Sequence, residues 1–290
     1  MDSDAVVVGA GLVGLAVARR LKGLGLSVKV LEKGRVGREA SWAGAGMLAP
    51  HSEAFPNPYW ARLARKALGD YPAFVAGLPG SVDFRISGAI EYADDGATRE
   101  FPDEAQVNPR DLVAALAQDA DIEEGREVRS LGDWNARVVV VAAGAWSAGI
   151  SGLPECFPVR GHLLAYEMPD GSLTPTLRRG HTYILQRSNG LTVVGSTEEL
   201  VGFDRTLDRA ALDDLRARGE ALWPALRGRT PVDAWCGFRP ATPSGVPEVG
   251  RIGSSNVWCA YGHFRNGILL ADTTAELIAT DVFSALSGGC

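Results

Sequence analysis

Cysteine and histidine are scarce, and their spacing excludes several classes. The four cysteines, Cys156, Cys236, Cys259 and Cys290, are scattered without a CxxC pair. That pattern encodes neither a disulfide framework nor a zinc site and makes a reducing cytoplasm the simplest home. His51, His162, His181 and His263 show no metal-ligand spacing. No window approaches the roughly 20 apolar residues that cross a bilayer, so no membrane partner is expected. A strand is expected already from Ala5, which leaves no room for a signal peptide before it. Positive charge is also in deficit: 29 Lys and Arg stand against 35 Asp and Glu, for a formal charge of −6. Without a basic face to track a phosphate backbone, nucleic acid is excluded as a partner. What remains is a chain of 290 residues, 46% hydrophobic, able to bury the core of one or two domains.

The first fifty residues carry the clearest local pattern. Ala5-Val6-Val7-Val8 is a short apolar run suited to a parallel strand buried on both faces. Gly9-Ala10-Gly11-Leu12-Val13-Gly14 follows at once, and Leu12 to Leu24 reads as an amphipathic helix that Gly25 stops. A second strand, Ser27 to Leu31, ends on Glu32. In such a unit Gly9 permits the tight turn, Gly11 lets the backbone approach a pyrophosphate, and Gly14 lets the helix pack on the strand. The helix N-terminus then faces the phosphates. Glu32 lies about 20 residues after the first glycine, where a carboxylate accepts hydrogen bonds from ribose hydroxyls and repels the 2′-phosphate of NADP. This unit calls for a dinucleotide and leaves NAD and FAD both open.

Three later segments resemble the glycine oxidase and D-amino acid oxidase superfamily of flavoproteins, most closely the glycine oxidase branch of thiamine biosynthesis. The first is Arg38-Glu39-Ala40-Ser41-Trp42-Ala43-Gly44-Ala45-Gly46-Met47-Leu48, similar to the family loop beside the pyrophosphate and isoalloxazine. The second, Arg137 to Ser147, is a valine-rich strand ending in Ala142-Ala143-Gly144-Ala145-Trp146. The third is the pair Gly237-Phe238-Arg239-Pro240-Ala241-Thr242-Pro243-Ser244-Gly245 and Gly262-His263-Phe264-Arg265-Asn266-Gly267-Ile268-Leu269-Leu270-Ala271. The resemblance implies FAD, held by Gly9 to Gly14, Glu32, Lys33, Arg38, Ser41, Ala45, Gly46, Met47, Val128, Ala143, Gly144, Trp146, Arg239, His263, Arg265, Asn266, Gly267 and Ile268. A C-terminal helix is expected from Ile268 to about Leu286, opened at Gly267 with Asn266 as N-cap candidate. Its positive end would favour negative charge on a reduced flavin.

The expected fold is α/β, a Rossmann-type FAD-binding domain with an α+β antiparallel-sheet substrate domain. The first comprises residues 1–80, 105–157 and 237–290, the second 81–104 and 158–236. Strands are expected at Val159 to Tyr166, Thr182 to Arg187 and Leu191 to Ser196, with Asn189-Gly190 as the hairpin turn, followed by a helix from Asp208 to Leu226. Asp83 to Tyr92 is expected to add strands to the same sheet.

The resemblance assigns Arg239 to the substrate carboxylate, for which a guanidinium fork is a planar match, and Tyr183 to the same group. His181, two residues earlier, is expected on the same strand face. Arg265 is either a second cation in the site or half of a structural ion pair. Two features depart from the family: Gly195-Ser196-Thr197-Glu198-Glu199, where Glu198 replaces an apolar residue, and a short segment from Glu91 to Asn108. The reaction implied is oxidative deamination of glycine or a related small amino acid, with O2 reduced to H2O2. The alternatives are a D-amino acid or sarcosine oxidase, a flavin amine dehydrogenase, an NAD dehydrogenase, and a non-enzymatic assembly subunit. Assembly into a homo-oligomer stays open.

Overall fold

Residues 3–132 and 136–287 are described by a computed structural model of the chain; Cys290 lies outside the described residues. Strand β1 (Ala5–Val8) is buried along its whole length. Gly9, with φ +104°, turns the chain into helix α1 (Leu12–Gly23). A β-carbon on Gly14 would run into the carbonyl of Gly9, so this glycine sets how closely helix and strand approach. The helix ends in a Schellman turn: the Gly25 amide, at φ +84°, donates to Lys22 and the Leu26 amide to Leu21. Then come β2 (Val28–Glu32), a single turn α2 (Ala40–Ala43) and β3 (Met47–Leu48).

Helix α3 (Pro58–Ala76) starts with Asn57, whose side chain accepts from the Trp60 amide at 3.1 Å, and with proline at its first position. It buries Trp60, Ala64, Ala67, Leu68, Tyr71 and Phe74 in the cluster that also holds α1. The chain continues through β4 (Phe84–Ile86), β5 (Ala89–Tyr92), β6 (Thr98–Phe101), β7 (Ala105–Val107), α4 (Pro109–Ala117), β8 (Asp121–Glu124) and β9 (Val138–Val141). It then runs through β10 (Phe157–Glu167), β11 (Thr176–Arg179), β12 (Thr182–Gln186), β13 (Leu191–Gly195) and α5 (Arg209–Leu222). The last elements are β14 (Asp233–Ala241), β15 (Glu248–Arg251), β16 (Val257–Tyr261) and α6 (Ala271–Ser287).

Two sheets dominate. The six-stranded sheet, in the order β15-β16-β9-β1-β2-β8, is parallel except for the edge strand β15. Val7, Val30, Val138 and Val140 face α1, α4 and α6, while Val6, Val8, Val139 and Val141 face the other way onto Ile150 and Cys156. Burial on both faces explains why its strands read as unbroken valine runs.

The seven-stranded sheet, β14-β10-β13-β12-β11-β5-β6, is antiparallel except where β11 meets β5. Here side chains alternate. Leu164, Tyr166, Ile184 and Val194 pack under α5, whereas Leu163, Ala165, Tyr183, Leu185 and Val193 face Ala43 and Ala45 of the first half. That period of two aims Tyr183 into the space between the two sheets.

The structure corrects three expectations. The helix expected from Asp208 to Leu226 runs only over Arg209–Leu222, because Trp223 is extended before Pro224. Only Ala89–Tyr92 joins the large sheet; Phe84–Ile86 pairs with β7, which also pairs with β3, in a separate three-stranded sheet. Gly88, at φ +68°, breaks the run between them. The C-terminal helix begins at Ala271, not Ile268, because residues 267–270 form a turn closed by the Leu270 amide on the Asn266 carbonyl at 2.9 Å. Among the described residues, Asn266 uses its backbone there and not a side-chain cap.

Candidate active site

A cavity of about 730 Å³ runs between the two sheets. Its floor is the β1–α1 turn, where Gly9, Gly11, Leu12 and Val13 line it. Ala10 stands one layer behind: its amide donates to Glu32 Oε2 at 2.9 Å, and the Gly34 amide donates to Oε1 at 2.7 Å. The carboxylate at the tip of β2 is thereby fixed beside the turn. Lys33 and Val128 line the same end. Gly14 does not line the cavity; it supports the turn from beneath.

The loop after β2 forms one wall. Ser41 accepts from the Leu12 amide at 3.0 Å and so holds the loop against the start of α1. Trp235 Nε1 donates to the Ala43 carbonyl at 2.9 Å. The buried Arg187 donates to the carbonyls of Ala45 and Val107, the latter at 2.7 Å. Ser41, Ala45, Gly46 and Met47 are presented to the cavity this way, and Gly46 (φ +86°) has no room for a side chain because Val107 lies against it. Arg38 does not line the cavity; its guanidinium sits over the Trp42 ring, 4.7 Å from the centroid.

The exit of β9 supplies Ala143, Gly144 and Trp146, and the turn after β16 supplies His263, Arg265, Asn266, Gly267 and Ile268. His263 is buried, with Nε2 2.8 Å from Thr274 Oγ1, and burial pulls its pKa down to about 4. It is a neutral imidazole at physiological pH.

At the end facing the seven-stranded sheet, Arg239 lies flat across β10. Its Nη2 donates to Ser196 Oγ at 2.7 Å and its Nη1 to the Arg160 carbonyl at 3.4 Å. Burial is the largest influence on this guanidinium and lowers its pKa, while the neighbouring Tyr183 acts the other way. Burial likewise raises the Tyr183 hydroxyl, opposed by Arg239. Among the described residues no carboxylate forms an ion pair with Arg239. Glu53 and Glu198, which pair with Arg265, act on it only from beyond ion-pair distance, so the enclosed cation faces the cavity without a carboxylate in contact.

Arg265 differs. It lines the cavity, but its Nε is 3.3 Å from Glu53 Oε2, and Glu198 Oε2 lies 4.0 Å from Nη1. The ion-pair alternative is the one the structure contains. His181 is exposed and stands before β12 begins, after Gly180 at φ +54°, so it does not share the cavity face with Tyr183; its Nδ1 lies 3.5 Å from Arg265 Nη1. Glu198 is exposed and outside the cavity lining.

The family model described as "DAO: FAD dependent oxidoreductase" matches residues 4–101 and 95–280. The chain belongs to the DAO family of FAD-dependent oxidoreductases. It is 33% identical to a glycine oxidase of Pseudomonas aeruginosa over 96% of this chain and 94% of that protein. It is also 32% identical to the bifunctional protein ThiO/ThiG of a Synechocystis strain, over 96% of this chain and 51% of that protein. Among solved structures, glycine oxidase from Geobacillus kaustophilus superimposes with a TM-score of 0.91 at 26% identity, covering 97% of this chain and 94% of that one. FAD is therefore the cofactor of this DAO family member, and the cavity fits it: close-approach glycines, a helix start and a carboxylate lie at one end.

Several lining residues of the DAO chain carry no sequence signal of their own. Glu53 follows a strand of two residues, Gly161 sits inside a long strand, and Phe203 and Arg205 lie in an irregular connection. Only contacts across the fold reveal them. Ser196 was visible as a strand end, but its bond to Arg239 was not.

Proposed function

We propose that this enzyme oxidises a small amino acid, glycine first, to the imine, which water converts to the 2-oxo acid and ammonia. The overall change is glycine + O2 + H2O → glyoxylate + NH3 + H2O2. Bound FAD supplies the acceptor for the hydride equivalent that leaves the substrate α-carbon and its reoxidation by O2. The chain itself fixes the substrate. Arg239 grips the carboxylate with its fork, Tyr183 and Ser196 hold that end in place, and the apolar wall around Leu163 excludes water. Held at its carboxylate, a substrate with no side chain has few orientations left, which brings its α C–H to one place. No residue in this reading acts as an obligatory base.

The observation that carries the proposal is Arg239, a cation facing the cavity with no anionic partner among the described residues. FAD is assigned to the glycine turn, Glu32, Lys33, Val128, the 41–47 wall, Ala143 to Trp146 and residues 263–268. His181 and Arg38 drop out of direct contact in this assignment. The proposed division into an FAD-binding unit (1–80, 105–157, 237–290) and a substrate unit (81–104, 158–236) follows the six- and seven-stranded sheets, except that β14 crosses the 236/237 boundary and β4 of the substrate unit pairs with β7 of the FAD-binding unit. No helix among the described residues is long and apolar enough to cross a membrane. The free thiols of Cys156, Cys236 and Cys259 support a cytoplasmic setting. A role in thiamine biosynthesis is part of the proposal, supported by likeness to a ThiO/ThiG protein of which this chain spans about half.

The deciding experiment is a peroxide-formation screen of glycine, sarcosine, and D- and L-amino acids. The highest kcat/KM is expected with glycine. Turnover of a D-amino acid or sarcosine with none of glycine would overturn the substrate, and reduction of the flavin by glycine without oxygen uptake would replace oxidase by dehydrogenase.

A further inference from the structure

Residues 196–208, between β13 and α5, leave the seven-stranded sheet and cross to the opposite wall of the cavity. Their root is held by two buried side chains. Arg160 on β10 is 4% exposed and donates to the Glu199 carboxylate, to the Asp204 carboxylate at 2.8 Å, and to the carbonyls of Asp204 and Thr206, both at 3.1 Å. His162, two residues along the same strand and fully buried, places Nδ1 2.9 Å from Thr197 Oγ1 and 3.0 Å from Glu199 Oε1, and Nε2 3.2 Å from the Thr206 carbonyl. The backbones of Arg160 and Glu199 also exchange two hydrogen bonds.

The tip is different. Phe203 packs on Trp146 at 4.9 Å and on Phe238 at 5.4 Å. Arg205 lies 5.1 Å over the Phe238 ring, and its Nη2 donates to both oxygens of Glu39, at 2.7 and 2.6 Å. Glu39 stands on the opposite wall, just before α2, so this ion pair bridges the cavity mouth. Phe203 is 43% exposed, and the pair is open to water on both sides.

We propose that residues 199–206 form a clasp that retains the cofactor, latched by Arg205 on Glu39 and seated by Phe203 on Trp146. The proposal rests on the FAD reading of the cavity and not on the identity of the substrate. Arg160 and His162, both buried, hold Glu199, Asp204 and Thr206 in place while the Arg205 and Phe203 side chains swing off the far wall, because their contacts there are solvent-exposed and individually weak. Opening is then a local event, much easier than unfolding, and screened by salt.

The test is the rate at which purified holoprotein releases FAD after dilution, read as the rise in free-flavin fluorescence, at about 50 and about 500 mM NaCl. Wild-type release is expected to quicken with salt. Arg205→Ala and Glu39→Ala should each release FAD about three- to tenfold faster at low salt and lose most of the salt dependence. The double variant should be no faster than the faster single one, because both remove the same latch. Glu39→Gln, which keeps the shape, should also lose the salt dependence and serves if an alanine variant fails to fold. Wild-type release from Arg205→Ala, or from Glu39→Gln where that variant takes its place, overturns the clasp, as do single effects that multiply in the double variant. No substrate enters this measurement, so an incorrect substrate assignment leaves its outcome standing.

Discussion

The guanidinium of Arg239 occupies the space that a side chain on Gly161 would need. The two residues lie on the paired strands β10 and β14, and a β-carbon at position 161 would meet Nη1, Nη2 and Cζ of the arginine. A strand interior normally gains nothing from glycine. Here the missing side chain lets a cation lie flat on the sheet with its fork toward the cavity. Gly161→Ala should therefore displace the fork, and steady-state kinetics should show kcat/KM for glycine lower by about tenfold or more. The flavin spectrum should be unchanged, because the FAD-side walls are untouched. Wild-type kinetics would mean that the position of the guanidinium does not matter.

Arg239 itself is the stronger test. A substrate as small as glycine offers almost no apolar surface, so its binding is polar. Removing one partner of a buried charge pair costs about 2–5 kcal/mol, and Arg239→Ala should lower kcat/KM at least tenfold while FAD stays bound. Lysine restores the charge without the fork and should recover only part of the loss. If Arg265→Ala abolished activity and Arg239→Ala spared it, the carboxylate site would have to move to Arg265.

Glu32 holds the amides of Ala10 and Gly34 and reaches the dinucleotide turn. Glu32→Ala should weaken FAD binding by about 1.5–3 kcal/mol for each charge-assisted hydrogen bond lost to a ribose hydroxyl. Fluorescence titration of apoprotein with FAD reads this directly; an unaltered Kd would remove Glu32 from the ribose.

His263 links stability to pH. Its pKa falls from the ordinary 6.5 to about 4 on folding because the ring is buried. Between those values the unfolded chain takes up a proton that the native state refuses. Its contribution is thus fully present above about pH 6.5, is lost progressively as pH falls toward 4, and amounts to about 3 kcal/mol. Denaturant unfolding of His263→Gln should lack this portion of the slope between pH 7 and 4.5. A slope equal to that of the wild type would place the titration elsewhere.

What the sequence makes legible is what is local. The dinucleotide unit is read in full because strand, turn, helix and acid follow one another within about 30 residues, and Asn189-Gly190 announces its hairpin because Gly190 takes φ +82°. Arg239 is legible only through its motif, since nothing local says that it lacks an anion. The true partner of Arg265 is Glu53, far off in the chain, and no spacing rule connects them. Strand β4 was expected in the large sheet because its pairing with β7 depends on long-range register. Helix α3 was not expected, although Asn57-Pro58 is a start signal for it.

The order of strands in the parallel sheet also bears on how the enzyme is made. Strand β9 lies between β1 and β16, and β16 is synthesised long after β9. A nascent chain on the ribosome therefore carries Val138–Val141 with one edge unpaired until β16 emerges. The turn holding His263 to Ile268 arrives later still, so the cofactor cavity closes only after that turn has been made. Flavin capture then waits for β16 and that turn, and a chain stalled before them would present an apolar strand edge to chaperones and proteases instead of a finished site.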